Sequence, residues 1–213
     1  MRKIKRVVLF GAGGHARVVA DVFESRHIRV EGLFDDDKTL FGTKRIAWKV
    51  LGGLDDMIRF VKENEVNYFV AIGDNVLREK ISEKIGKSTS QLPCTCIAPS
   101  TSISPHVKIS KGVFIAPGVV INIGTVIEEG AIVNTSSSID HDCIIGRFSS
   151  VQPGAHLGGG VKIGRRTMVG IGAKVMQYMT IGDDAVVGGG AMVTHNVKEK
   201  TTVVGVPAKR ISL

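Results

Sequence analysis

The chain has few aromatic residues and little cysteine. Its 213 residues hold 8 Phe, 2 Tyr and 1 Trp, 5% aromatic in all, and 3 Cys. So few rings leave little to stack nucleic-acid bases on, and the core must be filled by small aliphatics. Cys94, Cys96 and Cys143 cannot all pair, and no second Cys-x-Cys accompanies the first. A disulfide framework and a zinc ribbon are therefore set aside in favour of a reducing, cytoplasmic setting. No apolar stretch approaches the ~20 residues that span a bilayer. Met1 to Phe10 mimics a signal peptide, but its apolar part ends in glycines, His15 and Arg17, so that reading is rejected. Hydrophobic residues make up 43%, too many for a disordered polar chain. Lys and Arg total 28 against 20 Asp and Glu, a net +8. This admits polyanions as partners, yet the basic residues are scattered beyond the first six. Glycine is abundant: 26 residues, about 12% against the ordinary ~7%, with no collagen triplet.

A period of six runs through the second half. Stepping by six from Ile97 to Val193 meets seventeen positions, all aliphatic. The position four later is small or slim from Thr101 and Val107 through Ser137, Cys143 and Ala155, and only Met179 is large. This fits neither a 3.6 period nor simple alternation. It fits a solenoid in which each hexapeptide gives a short strand and a turn, three to a coil. Steps of eighteen then stack residues in columns. One column reads Ile109, Ile127, Ile145, Ile163, Ile181. β-Branched residues suit parallel strands buried on their inner side. Just under six coils at ~4.8 Å spacing predict a prism roughly 27 Å tall.

Residues 1–92 lack this period. Val7 to Phe10 reads as a strand, followed by Gly11-Ala12-Gly13-Gly14-His15-Ala16 and a helical pattern through Val18, Val19, Val22 and Phe23. A strand from Val30 to Phe34 runs into Asp35-Asp36-Asp37. A helix from Leu54 to Lys62, a strand from Tyr68 to Ile72 and a helix from Val76 to Ile85 complete β-α-β-α-β-α. This is about half of a doubly wound nucleotide-binding fold. The glycine turn matches G-x-G-x-x-A with an acidic group about twenty residues on. Glycines let the backbone approach a pyrophosphate, which faces helix N–H groups. With only ~90 residues before the solenoid, a single nucleotide diphosphate fits better than a dinucleotide. The alternative is that these glycines only make a tight strand-to-helix turn.

The candidate chemistry lies at Asp140-His141-Asp142-Cys143. The period puts His141 outside the core or in a turn. Flanking carboxylates can hold one ring nitrogen as N–H and leave the other as proton acceptor. The plainer reading is a solvated turn histidine between two solvated acids. Gly159 stands eighteen residues on, one coil along the same column, where a backbone N–H can stabilise an oxyanion. A metal centre is not expected. His106 and His141 lie 35 residues apart with no third histidine in phase, and His156 and His195 fall elsewhere.

The hexapeptide run, the G-x-G-G-H-A turn, Asp35-Asp36, Ala71-Ile72-Gly73-Asp74-Asn75, Asn134-Thr135-Ser136-Ser137, Asp140-His141-Asp142-Cys143 and the tail Val204 to Ile211 cover nearly the whole chain. Together they resemble the nucleotide-sugar N-acetyltransferases of the bacillosamine and perosamine type, relatives of NeuD-type sialic acid O-acetyltransferases. The resemblance implies a half-Rossmann-like α/β domain over 1–92, binding the nucleotide sugar, and a left-handed parallel β-helix acetyltransferase domain over 93–213. It implies a homotrimer with active sites between subunits, and no metal. His141 would be the general base and Asp142 its orienting carboxylate. Gly13, Gly14 and His15 would meet the diphosphate end of the substrate, and Asp35, Asp36 and Gly73 its base or ribose. Acetyl-CoA would lie near Gly159, Ile171, Ala173 and Gly189, with Lys209 close to its phosphates. Some relatives carry a histidine nine residues after the catalytic one; this chain has Ser150 there, grouped with the coenzyme residues. The implied reaction is transfer of acetyl to the amine of a UDP- or GDP-linked amino sugar in surface glycan biosynthesis. The alternatives are O-acetylation of a sialic acid-like sugar, or a nucleotide-binding scaffold without catalysis.

Overall fold

Residues 4–211 are described by the computed structural model. They fall into two units, Met1–Pro99 and Ser100–Leu213. The division comes later than the 92/93 boundary read from the sequence. Cys94 and Cys96 are tied to the first unit: the Cys94 N–H donates to Tyr68 O at 2.9 Å, and the Cys96 thiol points at Val19 O at 3.8 Å.

In the first unit, β1 (Arg6–Phe10), β2 (Arg29–Phe34) and a later strand, Asn67–Val70, form a parallel sheet in the order β2, β1, Asn67–Val70. Between β1 and β2 runs α1 (Gly14–Ser25), which buries Ala16, Val19, Ala20, Val22 and Phe23 along one face. Two two-residue strands, β3 (Lys44–Arg45) and β4 (Trp48–Lys49), pair antiparallel before α2 (Leu54–Asn64). The Asn67–Val70 strand is then β5, and α3 (Asn75–Thr89) follows it. Val8 and Phe10 of β1 join Phe34, Met57, Val61, Tyr68, Ile81 and Ile85 in one buried cluster. Alternate residues of one strand thus meet α2 and α3. The β-α-β-α-β-α order read from the sequence is present, with the β3–β4 pair added.

In the second unit every strand from Ser102–Ile103 to Met192–Val193 is two residues long. Partners in neighbouring coils are eighteen residues apart throughout, as in Ile127↔Ile145, Ile145↔Ile163 and Ile163↔Ile181. The second residue of each strand points inward. Ile127, Ile139, Ile145, Val151 and Val169 are fully buried. The slim position at each corner is inward too, and its hydroxyls find carbonyls: Thr125 Oγ1 donates to Asp140 O at 2.8 Å and Ser149 Oγ to Gly146 O at 2.7 Å. Buried polar groups are thereby satisfied at every bend where they occur. Turn side chains one coil apart also meet, as when Arg166 Nε donates to Asp184 Oδ1 at 2.6 Å. The last coil is closed by Thr202–Val204 and Lys209–Ile211, which pair antiparallel. No helix of the described residues is long and apolar enough to cross a membrane.

The inward columns should carry the stability of the solenoid. Ile163, 2% exposed, replaced by Ala should lose about 2–5 kcal/mol. Lys162→Ala, on the outer side of the same strand, should change stability by less than about 0.5 kcal/mol. Denaturant midpoints measure both, and equal effects would contradict this inside–outside assignment.

Candidate functional site

Two places in the molecule gather chemistry-bearing groups. The first is a cavity of about 350 Å³ at the carboxyl ends of β1, β2 and β5. Gly13, Gly14, His15, Asp35, Asp36 and Gly73 all line it. The chain leaves β1 at Gly11, whose φ of +114° suits glycine, and a Cβ there would lie 2.6 Å from Ala71 O. Gly11 is therefore a structural requirement. Gly13 and Gly73 differ: a Cβ on either would meet nothing within 4 Å. The fold does not need glycine at these positions, so their bareness leaves room for something outside the protein. No side chain of the described residues caps α1 at Gly13, and its first N–H groups face this end of the sheet.

The carboxylates frame the cavity. Asp35 Oδ2 accepts from Ala12 N at 2.8 Å and Oδ1 from Asp37 N at 3.0 Å, tying the glycine loop to the end of β2. Asp36 Oδ1 accepts from Leu54 N at 2.9 Å, at the start of α2. Behind the loop lies Arg78 of α3, 1% exposed. Its Nη1 donates to Ile72 O and Gly73 O, both at 3.0 Å, and its Nη2 to Asn75 Oδ1 at 2.7 Å. Burial pushes the guanidinium down to about 10 against the opposing pull of Asp74 and Glu79, so it stays charged at neutral pH. Desolvation, with the Arg78 charge second, pushes His15 down to about 4, and its imidazole is neutral. Sequence reasoning did not find Arg78. An arginine on a helix pattern reads as a solvated face, and only its burial marks it.

The second place is one corner of the solenoid. His141 and Asp142 form the turn after Ser138–Ile139, with side chains 46% and 72% exposed. His141 Nδ1 and Asp142 Oδ2 are 2.9 Å apart. The His141 N–H donates to Asp140 Oδ1 at 2.8 Å, and Asn122 Nδ2 donates to the same oxygen at 2.8 Å. Hydrogen bonding to Asp142, then the charges of Asp140 and Asp142, raise the His141 pKa above its ordinary 6.5, against an opposing desolvation. The Asn122 amide and the His141 N–H hold Asp140 below the usual carboxylate range. Glycines make room one coil to either side. A Cβ on Gly124 would run into Asp142 Oδ1, and one on Gly159 into the His141 imidazole at Nε2. Asn122 and Gly124 were not singled out from the sequence, although subtracting eighteen from Asp140 and Asp142 points to both. Cys143 faces inward beneath the turn, and burial pushes its thiol up.

The residues grouped with the coenzyme differ in exposure. Ile171 is 66% exposed at another corner. Gly189 stacks on it, and a Cβ there would lie 3.3 Å from Ile171 O. Lys209 is exposed on the closing strand. Two members of the group are buried. Ala173 belongs to the inward corner column and is fully buried, with its N–H donating to Gly170 O and its carbonyl accepting from His156 N. Ser150 is 1% exposed, and its hydroxyl accepts from the Gln152 amide at 3.2 Å. Among the described residues, no three His, Cys, Asp or Glu side chains are placed to hold a metal ion.

The family model for the PglD N-terminal domain matches residues 6–85. A histidine-to-alanine mutant of GDP-perosamine N-acetyl transferase from Caulobacter crescentus, in complex with CoA and GDP-perosamine, superposes with a TM-score of 0.92. The two are 35% identical, over 99% of each chain. The acetyltransferase domain of PglB from Neisseria gonorrhoeae FA1090, in complex with acetyl coenzyme A, gives a TM-score of 0.90 at 30% identity, over 98% of this chain and 100% of that one. Among curated proteins, serine acetyltransferase of Bacillus licheniformis is 38% identical over 79 residues, 33% of this chain and 37% of that protein. The chain spans between 15% and 37% of the length of such curated relatives. With both units and the order of their elements matched at these identities, the chain belongs to the family of left-handed β-helix, hexapeptide-repeat nucleotide-sugar N-acetyltransferases, which are acetyl-CoA-dependent acyltransferases.

Proposed function

We propose that this chain transfers the acetyl group of acetyl-CoA directly to the amine of a UDP- or GDP-linked amino-deoxy sugar, with His141 as general base, in surface glycan biosynthesis. The observation that carries the reading is the His141–Asp142 pair seated against Gly159. An ionised carboxylate only accepts hydrogen bonds, so Asp142 fixes the proton on Nδ1 and leaves Nε2 as the acceptor. Asp142 also makes the imidazole more basic, which helps it take a proton from the ammonium or from the tetrahedral intermediate. As the C–N bond forms the C–S bond breaks, and the departing CoA thiolate takes up the proton held on the imidazole. We assign the Gly159 N–H as the donor toward the carbonyl oxygen that gains charge.

Acetyl-CoA supplies the acetyl group as a thioester. The residues proposed to hold it are Ile171 and Gly189, an apolar ledge at a corner, and Lys209, for its phosphates. That corner differs from the corner carrying His141. A homotrimer, in which a second copy brings its own corner to the first, would unite the two, and we propose that assembly. The nucleotide end of the acceptor is assigned to the cavity of the first unit. Gly13, Gly14 and the α1 N-terminus take the diphosphate, with neutral His15 beside it. Each carboxylate oxygen has two acceptor sites, so Asp35 and Asp36 can frame the loop and still accept from ribose or base near Gly73. The net charge of +8 suits two polyanionic ligands. Three free, buried cysteines are in keeping with the cytoplasm, where we place the enzyme.

His141→Ala should lower the turnover of acetyl transfer by about 10²–10⁴-fold without lowering the melting temperature; near-normal turnover would remove the base assignment. The neutral imidazole is the active form, and its pKa is raised, so kcat/KM should fall on the acid side through a value above 6.5. In Asp142→Asn that limb should move to lower pH while the plateau drops, and a limb that stays in place would contradict the pairing. Gly73→Val adds a side chain to the cavity wall whose Cβ meets no protein atom within 4 Å. It should raise the KM for the nucleotide sugar at least about tenfold, at constant melting temperature. An unchanged KM would leave the glycines with only a turn to make.

A further inference from the structure

Gly158-Gly159-Gly160 stands where neighbours already occupy the space of three side chains. A Cβ on Gly158 would lie 2.8 Å from Gln177 N. One on Gly159 would enter the His141 ring, and one on Gly160 would lie 2.6 Å from Tyr178 Cδ1. The imidazole therefore leans forward from the preceding coil, and the phenol leans back from the following one. They rest on adjacent residues, whose Cα atoms are about 3.8 Å apart. The backbone fixes this stack: Gly160 N donates to His141 O and Tyr178 N to Gly159 O, both at 2.8 Å.

Tyr178 has no part in the core. Its residue is 71% exposed, whereas the two other aromatics of the solenoid, Phe114 and Phe148, are 0% and 1% exposed. Its φ of +62° is that of the repeating turn, which Phe148 at +52° and Arg166 at +55° also adopt. A ring exposed beside the proposed base, with no core to fill, is placed to meet a ligand.

We propose that Tyr178 is a specificity-determining residue of acetyl transfer, its ring forming the apolar wall on which the sugar ring of the acceptor rests. The proposal builds on the acetyltransferase reading of His141. An amine whose proton goes to His141 Nε2 must come within about 2.6–3.2 Å of it. The carbon bearing that amine is one bond further out, which brings the sugar ring within reach of a phenol seated on the residue next to Gly159. One face of a pyranose is largely C–H, and an aromatic ring offers it a rigid apolar surface. With only two χ angles to fix, tyrosine orders at small entropic expense.

The test measures KM for both substrates in Tyr178→Ala and Tyr178→Phe, with melting temperature and light scattering recorded alongside. In Tyr178→Ala the KM for the nucleotide amino sugar should rise about tenfold. The KM for acetyl-CoA, the melting temperature and the oligomeric state should hold. Tyr178→Phe should bring the sugar KM back toward the wild-type value. An unchanged sugar KM, a rise confined to acetyl-CoA, or a change of oligomeric state would overturn the proposal. A wild-type protein that releases no thiol with any amino sugar would instead remove the acetyltransferase reading beneath it.

Discussion

Stacking residues eighteen apart is the constraint on which the second unit depends. Each strand from Ser102–Ile103 to Met192–Val193 is two residues long and would have no stability alone. It persists because its backbone is bonded to the coil before and the coil after, and because its inward residue joins a continuous aliphatic column. The same register sets the chemistry. Asp142 needs an absent side chain at Gly124, and His141 needs one at Gly159. The candidate base is thus assembled by three consecutive coils at one corner rather than by a loop laid on a scaffold. Inserting a single residue between 124 and 142, or between 141 and 159, would turn inward positions outward and separate these pairs together.

Two histidines in this chain are pushed in opposite directions. His15, desolvated and beside the Arg78 charge, is held neutral. His141, exposed and hydrogen-bonded to a carboxylate, becomes more basic. Such divergence separates roles. A neutral imidazole suits a place where a ligand is held by hydrogen bonds. A basic one at the surface suits proton transfer, provided its tautomer is fixed, and Asp142 at 2.9 Å fixes it.

Much of this was legible in the sequence because a solenoid makes distance in space proportional to distance along the chain. The six-residue period gave the inward columns, and steps of eighteen gave the neighbour of His141. The same arithmetic, carried further, places Ala173 in the inward column of Ala155 and Ala191, and all three are fully buried. It also leads from Asp140 to Asn122. The first unit was legible only in outline. Strands such as Lys44–Arg45 and Trp48–Lys49 are too short to show alternation. Asp36 reads as a ligand carboxylate, yet one oxygen serves the N–H of Leu54. Arg78 buries its charge against two carbonyls eighteen-step reasoning cannot reach, since no period runs there.

The most direct measurement of the central claim is thiol release from acetyl-CoA with a panel of UDP-, GDP- and dTDP-linked amino sugars. The account predicts release that depends on the enzyme and on one amino sugar of the panel, with N-acetylated sugar formed in equal amount. Release that is the same with and without the amino sugars, or no release with any of them, would contradict it.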